Sequence, residues 1–185
     1  MNRWIKILAA ASAATFIAAC GSDDDDSQAP VAAPVSIAET AQGAGLNALV
    51  AAATKAGLVP TLSDDSQNLT VFAPTDAAFT SLATTLGFAD AGAMVDALSA
   101  SDLAKILQFH VLAGRKTAAD LAAAGASQPT LYSFDGSATT LAVNTASGVK
   151  LTDAVLTETT VSTADVAATN GVVHVIDKVL VPPGV

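Results

Sequence analysis

The chain has 185 residues, 51 % of them apolar and 4 % aromatic, with 8 basic against 17 acidic side chains and a net charge of −9. That balance repels a polyanion and excludes nucleic acid as a partner, and a single cysteine excludes a disulfide framework within the chain. The length suits one domain preceded by a leader, with roughly two-thirds of the unfolded surface of a 150-residue core buried on folding.

At the N-terminus, Arg3 and Lys6 precede an Ala-rich apolar run from Ile7 to Ala19, which breaks at Cys20-Gly21-Ser22 and the acidic run Asp23 to Asp26. About 13 apolar residues fall short of the ~20 needed to span a bilayer, so residues 1–19 are predicted to be a signal peptide rather than a lasting transmembrane helix. Ile17-Ala18-Ala19-Cys20 resembles a bacterial lipobox. The resemblance implies that Cys20 is acylated, becomes the mature N-terminus and makes a bilayer the first partner of the chain. A lone thiol in an oxidising compartment has no intramolecular partner, and lipidation removes that liability. Several acyl chains, at roughly 0.8 kcal/mol per buried CH₂, hold a protein on a membrane durably. By the same resemblance, Gly21 in place of Asp after the cysteine points to the outer membrane, with the domain facing either the periplasm or the outside. Loss of residues 1–19 removes Arg3 and Lys6, so 8 basic and 17 acidic side chains become 6 and 17 and the charge becomes −11.

Residues 20–35 mix acidic residues with Ser, Gln, Pro and Ala without periodicity and are predicted to be a solvated tether of at most ~50 Å. Four adjacent aspartates lack the spaced oxygens and turn glycine of a calcium loop and serve to extend the chain. The folded domain is predicted over residues 36–185.

Ser36 and Glu39 have capping-box spacing, so a short helix is expected to follow. Leu46, Leu49, Val50 and Ala53 repeat on one helical face, with Gly57 as the stop before Leu58-Val59-Pro60. Thr70 to Pro74 reads as a β-rich run that Pro74 ends; Thr75 then caps a helix carrying Phe79 and Leu82. Further helices are expected over Ala91 to Leu98, from Ser101 as cap through Leu103, Ile106, Leu107 and His110, and from Thr117 to the Gly125 stop.

From Thr130 the pattern changes to short β-rich runs. Leu131 to Phe134, Thr139 to Val143, Val149 to Thr152 and Val172 to Val181 are the expected strands, with Asp135-Gly136, Ser147-Gly148 and Asn170-Gly171 as turns and Pro182-Pro183 as the final stop. A strand of unassigned inward face is expected between Ala154 and Val161. Helices followed by strands predict an α+β domain.

Leu69 to Phe79 and Asn170 to Val181 resemble the two signature segments of the fasciclin domain, and Phe109-His110 resembles the family's central Tyr-His motif. The likeness runs from about Ser36 to Pro183. It implies a fasciclin-type wedge of β-sheet with helices packed around it, and cell adhesion or matrix and surface interaction outside the cytoplasm, with a protein or polysaccharide surface as partner. It does not imply an enzyme or a cofactor. In animal members the Tyr-His motif and an Asp-Ile pair are linked to integrin binding. The matching positions are Phe109, His110, Asp165 and Val166, each pair keeping one of the family's two residues. There is no Arg-Gly-Asp tripeptide, and Asp165 also reads as a turn residue. The resemblance equally admits a carrier of a small apolar ligand such as a carotenoid, held in a groove between helices and sheet.

His110 and His174 are the only histidines. A zinc site needs three or four ligands, and a serine hydrolase its nucleophile elbow; neither spacing is present. Both imidazoles are instead expected to be buried and hydrogen-bonded, with His110 against the Thr75-Asp76 corner and Thr75, Asp76 and His174 serving structure. Asn68-Leu69-Thr70 fits a glycosylation sequon but reads as a strand start.

Overall fold

A computed structural model of the chain describes residues 35–146 and 148–184. The predicted signal peptide, Cys20 and the predicted tether up to residue 34 lie outside the described residues. The described residues form one compact unit.

The helices form where local chemistry satisfies their first amide groups. Helix α1 (Ile37–Gly43) carries the full capping box: Ser36 Oγ accepts the Glu39 N–H, and the Glu39 carboxylate accepts the Ser36 N–H at 3.0 Å. Helix α2 (Asn47–Lys55) ends ahead of Gly57, whose φ of 70° is open to glycine. Pro60 does not simply stop the chain here. It sits in the first turn of a further short helix, α3 (Val59–Leu62), where its missing N–H leaves no bond unmade. Strand β1 (Leu69–Pro74) and helix α4 (Asp76–Thr85) meet at the predicted corner, with Thr75 Oγ1 accepting the Ala78 N–H at 3.2 Å.

Helix α5 (Ala91–Ala97) buries Met94 and Val95. Helix α6 (Ala100–Phe109) is capped by Ser99 rather than Ser101. Ser99 is extended, accepts the Asp102 N–H at 3.1 Å and donates its hydroxyl to that carboxylate at 2.8 Å, whereas Ser101 has Ala104 at the equivalent spacing. After strand β2 (Val111–Ala113), helix α7 (Ala118–Ala123) repeats the capping box with Thr117 and Asp120.

Strands β3 (Ser127–Phe134), β4 (Ser137–Asn144), β5 (Lys150–Thr152), β6 (Glu158–Ala168) and β7 (Gly171–Ile176) complete the sheet. It closes into a seven-stranded barrel in sequence order: neighbours are antiparallel except β1 and β7, which pair in parallel from Leu69 with Gly171 to Pro74 with Ile176. Asp135 and Gly136, at φ 50° and 75°, make the expected tight hairpin.

Besides β2, which the sequence does not predict, and β3, which starts at Ser127 rather than Leu131, three strand expectations change. β6 runs on to Ala168 through Ser162 and Thr163, both of which face water. β7 ends at Ile176, not Val181, and the tail beyond it is held by side chains instead of a ladder. The β6–β7 turn is Thr169-Asn170, and Gly171 is already in the strand. Gly171 is needed there for closeness: a Cβ would collide with the Leu69 carbonyl and lie 2.9 Å from Ile37 Cδ1.

β1 is buried along its whole length because both faces are covered, which explains why Thr70 is its one polar residue. Val71 and Ala73 pack with Val173 against α1, α2 and α6 through Ile37, Leu49, Ala53 and Leu107. Phe72 turns the other way, into the barrel, with Phe109, Leu112, Tyr132, Leu141, Leu151, Ile176 and Leu180. Thr70 is fully buried, so the strand reading of Asn68-Leu69-Thr70 holds; its hydroxyl donates to the Gly114 carbonyl at 2.7 Å and accepts the Lys116 N–H at 2.8 Å.

Candidate functional site

The side chains singled out by the sequence occupy one half-buried corner, two buried junctions and one exposed bulge. At the β1–α4 corner, Asp76 does not answer His110. Its carboxylate reaches the start of α2, accepting the Ala48 N–H at 2.9 Å and an Asn47 side-chain N–H at 3.2 Å. Leu46, in the cap position of α2, has no side chain able to do this, so the cap comes from another helix.

His110 closes α6 and faces the tail. Its Nδ1–H donates to the Ile106 carbonyl at 2.7 Å, which leaves Nε2 to accept the Leu180 N–H at 2.9 Å. The ring is 1 % exposed, and desolvation pushes its pKa down to about 4, against the opposing pull of the Ile106 carbonyl and of Asp153. Asp153 accepts the next amide of the tail, Val181 N–H, at 3.1 Å. Phe109 stands beside His110 inside the barrel, 1 % exposed and edge-on to Tyr132 at 6.4 Å between ring centroids.

His174 sits in β7 opposite Phe72 and stacks on it at 5.5 Å. Its Nε2–H donates to the Lys116 carbonyl at 3.0 Å, and Nδ1 accepts the Asp165 N–H at 3.3 Å. Asp165 lies within β6, where the pairing register shifts, at φ 61°. It is therefore a strand bulge rather than a loop turn. Its exposed carboxylate accepts the Ala118 N–H at 2.8 Å at the start of α7. Val166 is half-buried against the helical core. A molecule approaching the folded domain thus meets Asp165 and part of Val166, while Phe109 and His110 are inside.

Asn170, read from sequence only as a turn residue, is fully buried and joins three elements. Its Oδ1 accepts the Ile37 N–H at 2.9 Å, its amide group donates to the carbonyls of Leu62 at 2.9 Å and Asp64 at 3.3 Å, and its backbone carbonyl accepts the Leu69 N–H at 3.0 Å.

Both nitrogens of each histidine are committed to backbone, which leaves neither free to act as a base. Among the described residues no group of three or more His, Cys, Asp or Glu is placed to hold a metal ion, and no helix is long and apolar enough to cross a membrane. An apolar cleft of about 70 Å³ lies between α1, α2, α3 and the β1–β7 pair, lined by Ile37, Ala41, Leu49, Ala53, Val71 and Val173, with Gln42 and Thr54 as polar members.

Residues 44–182 match the family model described as the fasciclin domain. Among curated proteins the chain is 38 % identical to protein sll1483 of Synechocystis sp. over 161 residues, covering 85 % of this chain and 79 % of that protein. It is 29 % identical to a fasciclin-like arabinogalactan protein of Arthroderma benhamiae over 83 % of this chain and 32 % of that protein. Among solved structures it resembles a FAS1 domain pair from the insect cell adhesion molecule fasciclin I, with a TM-score of 0.54 and 23 % identity, over 75 % of this chain and 46 % of the other.

Proposed function

The chain belongs to the fasciclin family, and we propose that it is a membrane-anchored, extracytoplasmic binding module, non-catalytic and adhesive, tethered through a lipid on Cys20 to the outer membrane. The observation that carries this reading is the inward commitment of the motif side chains. His110, His174, Asn170 and Asp76 are each engaged with backbone groups, so the domain is a rigid platform whose contacts fall to its loops. The insect relative is, by its name, a cell adhesion molecule. Protease shaving of intact cells, with and without permeabilised outer membrane, and retention of cells on a matrix-coated surface test the reading together. Digestion only after permeabilisation, or unchanged retention after deletion of residues 36–185, overturns adhesion to external surfaces; Cys20→Ser is expected to release the protein from the membrane fraction.

A second reading is supported by the apolar cleft beside α1 and α2: carriage of a small apolar ligand of the polyene type. Protein purified from its native host would then show a polyene absorption spectrum, and a colourless protein would remove that reading.

A further inference from the structure

β3, β5 and β7 run the same way around the barrel, so the β3–β4 hairpin, the β5–β6 loop and the tail after β7 share one end. That end carries three bulky apolar side chains in water: Phe134 at 45 %, Val155 at 58 % and Leu156 at 84 % exposure. The tail ties the two loops together. Val181 N–H bonds to Asp153, the Tyr132 hydroxyl donates to the Pro183 carbonyl at 3.2 Å, and Gly184 lies so close to the Phe134 ring that a Cβ would collide with it.

The β5–β6 loop is locked in the shape that projects its apolar residues. Asp153, 5 % exposed, turns its carboxylate inward to accept the Val155 and Thr157 N–H groups at 3.1 and 2.7 Å. The loop is thereby left without an exposed charge from Ala154 to Thr157. Leu156 is held at φ 62°, a left-handed conformation that a leucine adopts only under constraint. A loop held in strain to present leucine to water is a built feature, and exposed apolar clusters of this kind mark contact sites.

From this geometry we infer that the loop end is a membrane-docking tip, which inserts Val155, Leu156 and Phe134 into the interfacial region of an uncharged phospholipid bilayer. Area decides between a bilayer and a protein. The three side chains expose on the order of 300 Å², well below the ~800 Å² that each partner surrenders at a stable protein interface. A bilayer asks for no shape complementarity, only for protruding apolar groups without charge. Polysaccharide is disfavoured because the one carboxylate of the loop is already used. The charge of −9 and the exposed Asp135 beside Phe134 oppose an anionic surface, which leaves zwitterionic lipid. Val35, whose carbonyl accepts the Thr169 N–H at 2.9 Å beside the β6–β7 turn, lies at the opposite end of the barrel from the tip.

The only tryptophan of the chain is Trp4, so residues 32–185 have none and Leu156→Trp gives them a single reporter. With phosphatidylcholine vesicles, Leu156→Trp emission is expected to shift to the blue and to be quenched by acyl-brominated phosphatidylcholine, while Leu86→Trp, at another exposed position, is not quenched. Val155→Ser with Leu156→Ser should lower co-sedimentation at least tenfold. Leu156→Gly, which relieves the left-handed strain, should keep or raise the melting temperature yet lose vesicle binding to a similar extent. Absence of quenching, binding retained by the double variant, or binding only to phosphatidylglycerol vesicles would each overturn the inference. A blue shift that grows with protein concentration without lipid would assign the tip to a protein contact instead.

Discussion

Replacing Asn170 with alanine tests whether the start of the second signature segment is a turn or a clamp. The side chain is fully buried, and its loss orphans the Ile37 N–H at the start of α1 and the Leu62 carbonyl at the end of α3. Each buried group left without a partner costs about 1–3 kcal/mol, so the two together should cost on the order of 4 kcal/mol. For a domain of this size that corresponds to a fall in melting temperature of roughly 10 °C. Urea unfolding of residues 32–185, followed by circular dichroism, gives the free energy directly, with the slope against denaturant expected to stay constant. Asn170 does not have a positive φ, so glycine should give no relief and Asn170→Gly should lose about as much as Asn170→Ala. Asn170→Asp should be worse at neutral pH, because a carboxylate would face the Leu62 and Asp64 carbonyls that the amide group now satisfies. If Asn170→Gly remains within about 1 kcal/mol of the parent, the residue serves only the turn and the clamp argument fails.

Further outcomes follow from the other junctions. Because burial lowers the pKa of His110 to about 4 from an ordinary 6.5, the unfolded chain takes up this proton first; stability from the neutral ring is complete above pH 6.5 and is lost as pH falls towards 4. Between pH 7 and 4.5 the parent should lose roughly 2–3 kcal/mol more than His110→Gln, and parallel pH profiles of the two urea midpoints would refute this. Gly171→Ala should abolish cooperative unfolding, since its methyl meets the Leu69 carbonyl across the β1–β7 pair; a sharp transition near that of the parent would contradict the packing. Asp76→Ala should cost about 1 kcal/mol through loss of the α2 cap, while Asp76→Asn, which keeps an acceptor for the Ala48 N–H, should cost less; equal losses would remove the capping role.

What could be read from sequence was the chemistry that closes within a few residues. Ser36 with Glu39, Thr75 ahead of Phe79 and Asp135-Gly136 each complete their structure locally, and each forms as the spacing predicts. Even the misplaced cap of α6 was legible at this range, because Ser99 has Asp102 three residues on and Ser101 has an alanine. The answers that escaped depend on partners far along the chain. Nothing near Asp76 announces that it caps α2, 28 residues earlier; nothing near His110 points to Leu180, 70 residues later; and Asn170 hides a bond to Ile37 across 133 residues. Single-sequence periodicity also missed the later half of β6, since from Ser162 to Asp165 its residues are exposed and give no apolar stripe.

The same distinction bears on where a contact surface lies. A segment identifies this fold because its side chains meet distant backbone groups, and a side chain used in that way has no donor or acceptor left for a partner. Phe109 and His110 show the consequence: they resemble a binding motif, yet they fill the barrel and hold its tail. Asp165 differs, since its backbone serves His174 while its carboxylate stays at the surface. The β5–β6 loop carries the argument furthest. There one inward carboxylate satisfies the amides that would otherwise need water, and by doing so frees Val155 and Leu156 to face outward with nothing inside the domain to contact. In this molecule the residues that advertise the family build the platform, and the residues available to a partner are those the hydrogen-bonding pattern leaves over.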